Sequence, residues 1–550
     1  MKHKYYLFDP QYVQRVTDAA LTQGVVEKIV TNASWVDQYN WTPGSDIPDW
    51  EHRVSILYPN VEFDEMTGKY KMWYFAQNVN SPVDAYPWMD HIIDRNNTQN
   101  VDLGDFQNTA KGVIHSGRDI LCYMESEDGI NWIRPDLGEF YYQTRTGQIV
   151  GTNIAYIGMH GLGVRKNENP DPKEPAYLMA GTAWDVDTFI REGLPIGVAI
   201  SYSDDGFHWE DAIAIKTGYE CTPDIHSIRA DTHNQLFWSI ELGRYVVITR
   251  GYTEKDGVRV IAYLESTDAL GSLKDLGKIK ADGGEKYWEK TSPYWTCPQT
   301  VLDHNVTSDA EPYSMPVAHL AEGCYAGVVS VANFDQNSSG IFYSVHAQLT
   351  WSRNGKDWHY MDKGNPFIPN APAFGLEPGN DYGMIFCAAP VSVGGKTEIF
   401  YSATPELHYG NYNAIPDAIK EIVDEEFPKA KEAKMFTRSS TLNIARMKKD
   451  RYAGYLAASG SVTTSVFTVA GDNVTITADV KAGGFVKIQV LNASGEVING
   501  YEATIYRDVT DERISWNGKN LSALTGQKIT FRIWLNNACV YTIGGEISYG

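Results

Sequence analysis

The stretch Ser203-Asp204-Asp205-Gly206-Phe207-His208-Trp209 is the strongest indication of the fold, because the chain carries related stretches at residues 126–132 and 352–358. Each predicts a strand that ends at Ser, a tight Asp-Gly or Asn-Gly turn, and a Trp that begins the next strand, which is a hairpin signal. The intervals between the three copies are 77 and 149 residues. Since the second interval is close to twice the first, a degenerate copy is expected between them, and Glu265-Ser266-Thr267-Asp268 is the candidate.

A second repeated pattern gives the number of units. A turn followed by an aromatic strand occurs five times, and it begins at Gly68, Glu174, Gly243, Glu322 and Gly395. The unit length fits a four-stranded blade with long loops, so the sequence predicts a five-bladed β-propeller. The first interval, 106 residues, exceeds the other three, which are 69, 79 and 73. An insertion is therefore expected in the first blade, between residues 77 and 119, and long loops on a rigid scaffold commonly shape its functional face.

The rest of the chain suggests an all-β protein with three parts. Residues 1–45 form an N-terminal lead-in, in which a short helix is favoured around residues 11–20. Residues 46–445 form the propeller, and strong helix formers within residues 415–436 predict a short helical insertion in its last blade. Residues 446–550 show short alternating strands separated by Gly, Asn and Asp turns, which predicts a C-terminal β-sandwich.

Composition narrows the class of partner. A net charge of −22 argues against nucleic acid and against anionic membrane surfaces, because both require clustered Lys and Arg. The 15 Trp and 34 Tyr residues pack blades together in the simplest interpretation, but exposed aromatic faces also stack on sugar rings. A carbohydrate partner is compatible with both features, whereas the oligomeric state is not readable.

Two further features concern the compartment. Neither a signal peptide nor an apolar run long enough to span a membrane is visible, so a cytoplasmic location is expected. The six cysteines show no CxxC spacing, and most lie in apolar strand contexts. Buried free thiols are the expected state.

Several motifs together carry a family resemblance. They are the three hairpin stretches, Gly68-Lys69-Tyr70-Lys71-Met72-Trp73-Tyr74, the run at residues 231–238, Asp381-Tyr382-Gly383-Met384-Ile385, and, near the C-terminus, residues 472–479 and 514–518. The chain resembles the superfamily of glycoside hydrolase families 32 and 43, and in particular divergent bacterial members that join a propeller to a sandwich. The resemblance covers roughly residues 50 to 550. The hairpin stretch is also similar to the sialidase Asp-box, which has one more residue before its Gly.

The resemblance implies a funnel on the propeller axis, with carboxylates from different blades around a terminal sugar. Glycoside hydrolysis uses two carboxyl groups that face one bond. The candidates stand at the starts of inner strands: Glu51, Asp231, Glu311 and Asp381. Glu51 and Asp231 form the leading pair, with Asp231 as proton donor and Glu51 as base. Acidic residues at strand entries also accept backbone N–H bonds in turns, so a structural role stays open for each.

The sequence departs from family 32 at one important point. That family's Trp-Met-Asn-Asp-Pro-Asn-Gly phrase, which supplies its nucleophile, is absent, and Trp50-Glu51-His52-Arg53 stands roughly at the start of the first blade. Retaining fructosidase chemistry is therefore not expected. The predicted activity is that of an exo-acting glycoside hydrolase which releases a terminal sugar from an oligosaccharide.

Other side chains are candidates for substrate contact. Arginines can meet a carboxylate or sulfate on an acidic sugar, and aromatic residues can stack on a sugar ring. The predicted substrate-binding residues are Arg53, Tyr58, Trp88, His91, Asp94, His115, Arg118, His233, Tyr313 and Tyr382.

Two alternatives remain open from the sequence. His91, Asp94 and His233 could hold a divalent metal for an amino-sugar deacetylase on the same kind of propeller, and no cofactor is expected outside that alternative. The other alternative is a non-catalytic propeller that only binds carbohydrate. Chelator sensitivity separates the deacetylase from the glycosidase, and binding without turnover identifies the non-catalytic propeller.

Overall fold

The computed structural model describes residues 3–35, 48–51, 56–77, 92–94, 119–143, 148–157, 159–183, 197–210, 212–216, 225–227, 230–231, 233–253, 258–268, 273, 294–303, 310–334, 343–372, 380–405, 408 and 440–550. The described part is nearly all β-strand. It contains short 3-10 helices at Pro10–Tyr12, Asp49–Glu51 and Leu521–Leu524, and no α-helix.

The hairpin turns form as the repeated sequence predicts. In the first turn, Ser126 Oγ accepts the N–H of Gly129 at 2.9 Å, and Asp128 Oδ1 accepts the N–H groups of Ile130 and Asn131 at 2.8 and 2.7 Å. The indole N–H of Trp132 donates back to the Gly129 carbonyl at 2.9 Å, and Gly129 has φ +74°. The turns at residues 203–209 and 352–358 repeat these bonds. The repeat is therefore a side-chain-locked turn.

The degenerate copy lies where the spacing places it. Ser266 forms an isolated bridge with Trp295, as Ser203 does with Trp209. The sequence between Ser266 and Trp295 is much longer than in the other copies, so the Trp that closes the hairpin could not be recognised from the short phrase.

Among the described residues, we group the strands from β4 to β30 into five successive units whose internal pairings are antiparallel, and the last two units share one sheet. The N-terminal strands are β1 (His3–Tyr6), β2 (Val13–Thr17), β3 (Ala20–Gln23) and β4 (Glu27–Ser34). The first unit contains β5 (Asn60–Asp64), β6 (Lys69–Gln77), β8 (Asp119–Ser126), β9 (Trp132–Ile133) and β12 (Ile154–Ile157), and a small sheet of β7 (Ile92–Asp94), β10 (Phe140–Gln143) and β11 (Ile149–Gly151) lies in its connections. The second unit contains β13 (His160–Lys166), β14 (Tyr177–Ala183), β15 (Gly197–Ser203) and β16 (Ile213–Lys216).

The remaining units follow the same order. The third contains β17 (Ile225–Ser227), β18 (Gln235–Ser239), β19 (Arg244–Thr253), β20 (Arg259–Glu265) and β21 (Gln299–Leu302). The fourth contains β22 (Ala310–Ser314), β23 (Val317–Ala321), β24 (Cys324–Phe334), β25 (Tyr343–Ser352) and β26 (Trp358–Tyr360). The fifth contains β27 (Met384–Cys387), β28 (Val391–Val393), β29 (Lys396–Thr404) and β30 (Thr441–Lys448), with β4 added at its edge. A single parallel pair, Val345 with Met384, joins the fourth and fifth units into one sheet.

Apolar clusters pack each unit against the next, and the fifth against the first. One cluster unites Tyr74 of the first unit with Phe400 of the fifth, and others join first to second, second to third, third to fourth and fourth to fifth. The hairpin glycines mark these interfaces, because a Cβ on Gly206 would lie 2.7 Å from the indole of Trp73, and one on Gly129 would lie 3.2 Å from Phe400. The apolar contacts between successive units therefore end with a contact of the fifth unit on the first.

The C-terminal part is a separate sheet that incorporates the N-terminus. It contains β31 (Ala453–Thr464), β32 (Phe467–Leu491), β33 (Val497–Ile505), β34 (Val509–Arg513) and β35 (Lys528–Tyr549). Strand β1 pairs with β35, while β2 and β3 pair with β31. Residues 3–34 are thus shared between this sheet and the fifth unit, which β4 joins.

Two expectations about local structure are wrong, and one lies outside the described residues. Residues 11–20 belong to the end of a 3-10 helix and to β2 rather than to an α-helix, because pairing with β31 outweighs local propensity. Cys297 is disulfide-bonded and not a free thiol, whereas Cys122, Cys324, Cys387 and Cys539 are buried and free. The helical insertion at 415–436 falls outside the described part of the chain.

Candidate active site

Asn60, in the first strand of the first unit, connects three units at one point. Its Oδ1 accepts the N–H of Val164 at 3.0 Å and lies 2.7 Å from Nε2 of His233, while its Nδ2 donates to the Leu162 carbonyl at 3.1 Å. Asn60 is 4% exposed. Strands β5 and β13 and the segment before β18 therefore meet at Asn60, a centre where residues distant in sequence come together.

Asp231 enters this centre from the third unit as a partly open carboxylate. Its side chain is 28% exposed, and it forms an ion pair with Arg250, whose side chain is only 1% exposed. His160 Nε2 lies 3.1 Å from Asp231 Oδ1, and since an ionised carboxylate can only accept, we assign the proton to that nitrogen. Burial alone would raise the pKa of Asp231. The charge of Arg250 and the His160 hydrogen bond outweigh burial and hold this pKa well below its ordinary value.

A second carboxylate belongs to the same group of residues. Glu311 accepts from Arg259 Nη1 at 2.8 Å and from the Arg259 backbone N–H at 3.3 Å, and both contacts involve Oε2. The ring of Tyr313 lies between the two arginines, with its centroid 4.3 Å from Cζ of Arg250 and 5.5 Å from Cζ of Arg259. Asp231, Arg250, Tyr313, Arg259 and Glu311 thus form a continuous set, which we call the axial charge cluster.

The electrostatics of the cluster favour negative charge at Tyr313. Burial raises the pKa of its phenol, and the nearby carboxylate of Asp231 acts in the same direction. The charges of Arg250 and Arg259 nevertheless lower the pKa of Tyr313 below its ordinary value. The two guanidinium groups therefore dominate the local field although each is paired with a carboxylate.

Glu51 is held in a hydrogen-bond network of its own. Its carboxylate is 1% exposed and accepts from Trp35 Nε1 at 2.8 Å, from Arg134 Nε at 2.9 Å and from Asn153 Nδ2 at 2.9 Å. It also accepts from Tyr74, whereas the neighbouring Phe75 ring packs 5.3 Å from the ring of His160. Successive residues of a strand point to opposite faces. Tyr74, which bonds Glu51, and Phe75, which packs on the Asp231 partner His160, therefore lie on opposite sides of β6. The described contacts therefore give the pairing of Glu51 with Asp231 no support, and it stays a prediction.

Asp381 is also bound in a structural network. It is 2% exposed, and it accepts from Lys28 Nζ at 2.6 Å and from Tyr401 OH at 2.9 Å. Lys28 belongs to β4, the edge strand of the fifth unit, so Asp381 fastens that edge. Of the four carboxylates that the sequence proposed, Asp231 and Glu311 belong to the axial charge cluster, linked through Arg250, Tyr313 and Arg259, and Glu51 and Asp381 are bound in separate hydrogen-bond networks.

The histidine and metal expectations have different outcomes. His233 is 2% exposed and bonded to Asn60, and burial lowers its pKa to about 3, so the ring is neutral and held inside the protein. His91 falls outside the described residues, and Asp94 is described only as the end of β7. No group of three or more His, Cys, Asp or Glu side chains that could hold a metal occurs among the described residues.

Of the other predicted substrate-binding residues, some are described in the structure and some are not. Tyr58 is 3% exposed at φ +40° and packs on Phe75, His233 and Phe386, so it forms part of the floor of the centre. Tyr382 is half-buried beside Asp381. Arg53, Trp88, His115 and Arg118 lie outside the described part of the chain.

Sequence reasoning missed His160, Arg250 and Arg259. Arg250 offered a signal, since it follows the run Tyr245-Val246-Val247-Ile248-Thr249 within one strand, and a charge inside a buried strand requires a partner. His160 and Arg259 stand at strand starts, where the sequence offers no comparable signal.

Comparisons with known proteins give no family assignment. No protein-family model matches the chain, and no curated protein matches it significantly. It is similar to a β-1,2-mannobiose phosphorylase from Listeria innocua, with TM-score 0.37 and 12% identity over 76% of this chain and 96% of that chain. It is also similar to a family 43 arabinoxylan arabinofuranohydrolase from Bacillus subtilis, with TM-score 0.36 and 10% identity over 91% and 93%. An exo-β-1,3-galactanase from Phanerochaete chrysosporium gives TM-score 0.33 and 9% identity over 94% and 100%. At these scores the function has to be inferred from the site itself.

Within the described part of the chain, no helix is long and apolar enough to cross a membrane.

Proposed function

We propose that the chain is an exo-acting glycoside hydrolase that removes a terminal sugar from an oligosaccharide. The observation that carries this proposal is Asp231, an ionised and partly exposed carboxylate held by Arg250 in the same cluster as a second carboxylate, Glu311. The surrounding tyrosine rings supply faces on which a sugar can stack. Two carboxyl groups in an aromatic setting are what glycosidic bond cleavage requires.

The proposed architecture is a five-bladed propeller with a C-terminal sandwich. The ring of apolar clusters supports five blades, with β4 completing the last one. Long strands β32 and β35 around a single apolar core support a sandwich. A centre reached from one end of such a ring accepts a chain terminus more readily than the middle of a polymer, which favours exo action.

The low pKa of Asp231 reverses the role first expected for it. A carboxylate that stays ionised cannot donate a proton, so Asp231 acts as base or nucleophile, and Glu311 is the proposed proton donor.

The first test is a screen of aryl glycosides and N-acetylated sugars with and without a chelator. We expect turnover of a glycoside that the chelator does not change, and a loss of about 100-fold to 10,000-fold in kcat for Asp231→Asn. Asp381→Asn is the matched control, since it alters a buried, cation-paired carboxylate outside the cluster. Activity that survives Asp231→Asn would contradict the assignment, and chelator-sensitive deacetylation would replace it.

A second test addresses Glu311. If it donates the proton, Glu311→Gln should retain activity on dinitrophenyl glycosides, whose leaving groups need no protonation, and lose it on alkyl glycosides. Equal loss on both would remove Glu311 as the donor. Binding of oligosaccharide without turnover, unaffected by Asp231→Asn, would identify a non-catalytic binding protein instead.

A further inference from the structure

Arg250 and Arg259 carry hydrogen-bond donors that the described residues do not use. Arg250 pairs with Asp231 and interacts with the Tyr313 hydroxyl, but its Nε and Nη1, and Nε of Arg259, are buried and make no well-formed hydrogen bond with the described residues. The Arg250 side chain is almost fully withdrawn from solvent, being 1% exposed. An arginine has five donor N–H groups in a rigid fork, and leaving buried donors unpaired is unfavourable. Among the described residues these donors have no acceptor, so acceptor atoms from a ligand would satisfy them.

The two arginines lie against the same aromatic rings and differ in exposure. Both guanidinium groups approach the Tyr313 ring, and Arg259 is also surrounded by Tyr343 and Phe334 at 5.9 and 5.8 Å. Asp231, Arg259 and Glu311 have side-chain exposures of 28%, 22% and 17%. The open edge of the cluster thus lies at these three residues, with Arg250 behind them.

The field at this edge favours an anion and not merely a hydroxyl group. Tyr313 ionises more easily than an ordinary tyrosine although it is buried and near Asp231. Planar oxyanions match the guanidinium fork with two parallel hydrogen bonds, which lysine could not provide. A neutral sugar hydroxyl would use the donors singly and gain nothing from the field.

We propose that Arg250 and Arg259 form an oxyanion subsite, and that the terminal sugar fills it with its own carboxylate, so that the substrate class is hexuronic acid glycosides. The sugar component of this inference rests on the proposed function, while the oxyanion subsite does not. A free oxyanion such as inorganic phosphate presents the same chemistry, and the experiment separates the two sources.

The experiment measures binding of free sugars to the full chain by calorimetry, without turnover. The probes are hexuronates of gluco, galacto and manno configuration, the corresponding neutral hexoses and hexuronamides, and inorganic phosphate. We expect at least one hexuronate to bind about tenfold or more tightly than its hexose and its hexuronamide, since a charged bidentate contact is lost in both. The hexuronamide comparison needs no protein variant, so it remains valid if a variant fails to fold.

Arg259→Gln should abolish the preference for the hexuronate, and Arg259→Lys should restore only part of it. Arg446→Gln is the matched control, because Arg446 pairs with buried Glu398 in the fifth unit, and the preference should be unchanged. Equal affinity for every hexuronate, hexose and hexuronamide overturns the inference, and so does phosphate binding that depends on Arg259 without hexuronate binding. Hexuronate preference without hydrolysis of any glycoside would contradict the proposed function alone. Hydrolysis of neutral glycosides without hexuronate binding would contradict this inference alone.

Discussion

At the scale of single residues, the environment of a carboxylate decides its chemistry. Glu51 and Asp231 both lie outside strands, ahead of β5 and β18. Glu51 is enclosed by donors from Trp35, Arg134 and Asn153, whereas Asp231 keeps an open side. A fully bonded buried carboxylate stabilises its surroundings, and a partly open ionised one can react.

Arg250 provides a test at this scale. Its charge lowers the pKa of Asp231, so Asp231 is ionised over the whole ordinary pH range. Arg250→Met should raise the pKa of Asp231 and move the acidic limb of the pH profile of kcat/KM to higher pH, with lower activity at its maximum. The profile should stay in place for Arg446→Met. An acidic limb that does not move in Arg250→Met would show that Arg250 does not control Asp231.

The hairpin carboxylate provides a second residue-scale test. Asp128 accepts two backbone N–H groups and one side-chain N–H of Asn131. Asp128→Ala should lower the free energy of unfolding by about 1 to 2 kcal/mol, whereas Asp128→Asn should cost less. The chain itself offers the precedent, since Asn354 makes the equivalent bonds in the turn at residues 352–358.

The pH dependence of the Asp128 contribution follows from its pKa, which backbone hydrogen bonds lower to about 2. A lowered folded-state pKa adds stability above the unfolded value near 4 and loses it as the pH falls towards 2. The stability difference between wild type and Asp128→Asn, measured by urea unfolding, should therefore shrink between about pH 4 and pH 2. A constant difference across that window would contradict the assignment.

At the scale of elements, each hairpin turn also forms an interface. Gly206 has φ +86°, and a Cβ there would lie 2.7 Å from Trp73 of the neighbouring unit. The carbonyl of Gly206 accepts from Trp73 Nε1 at 2.8 Å. One short phrase thus closes a hairpin and positions the next unit, which explains why the sequence repeats it.

Gly206→Ala separates these two contributions. It should lower the unfolding free energy by more than Gly243→Ala, because Gly243 has φ +61° but an added methyl group there would meet nothing within 4 Å. Both changes carry a backbone cost of about 1 kcal/mol, and overpacking adds about 1 to 3 kcal/mol at Gly206 alone. Equal losses of unfolding free energy in chemical denaturation would mean that the interface accommodates the methyl group at Gly206 without overpacking.

At the scale of the whole molecule, the N-terminal strands hold the two parts together. Lys4 and Tyr6 both bond to buried Asp450, and Arg353 of the fourth unit donates two hydrogen bonds to Asp9. The N-terminal strands are therefore structural members of both parts.

This arrangement predicts that residues 450–550 do not fold alone. The core of the C-terminal sheet includes Tyr5, Leu7 and Tyr12, whose burial contributes roughly 5 to 9 kcal/mol, comparable with the total stability of a domain. The isolated fragment should show no cooperative thermal transition, and a peptide of residues 1–24 added in trans should restore one. A cooperative transition in the fragment alone would show that the N-terminal strands are dispensable.

The β-class, the repeated hairpin and the position of the degenerate copy could all be predicted from the sequence, because turn chemistry is local and each turn is locked by its own side chains. Asp231, Glu311 and Tyr313 were also recognisable there, but only as separate candidates. Only the folded chain shows which acids share a cluster and that Arg250 and Arg259 link them. Only the folded chain shows that the N-terminus completes the C-terminal core. Those outcomes depend on contacts between residues far apart in the sequence, whose energies arise only when the units have packed.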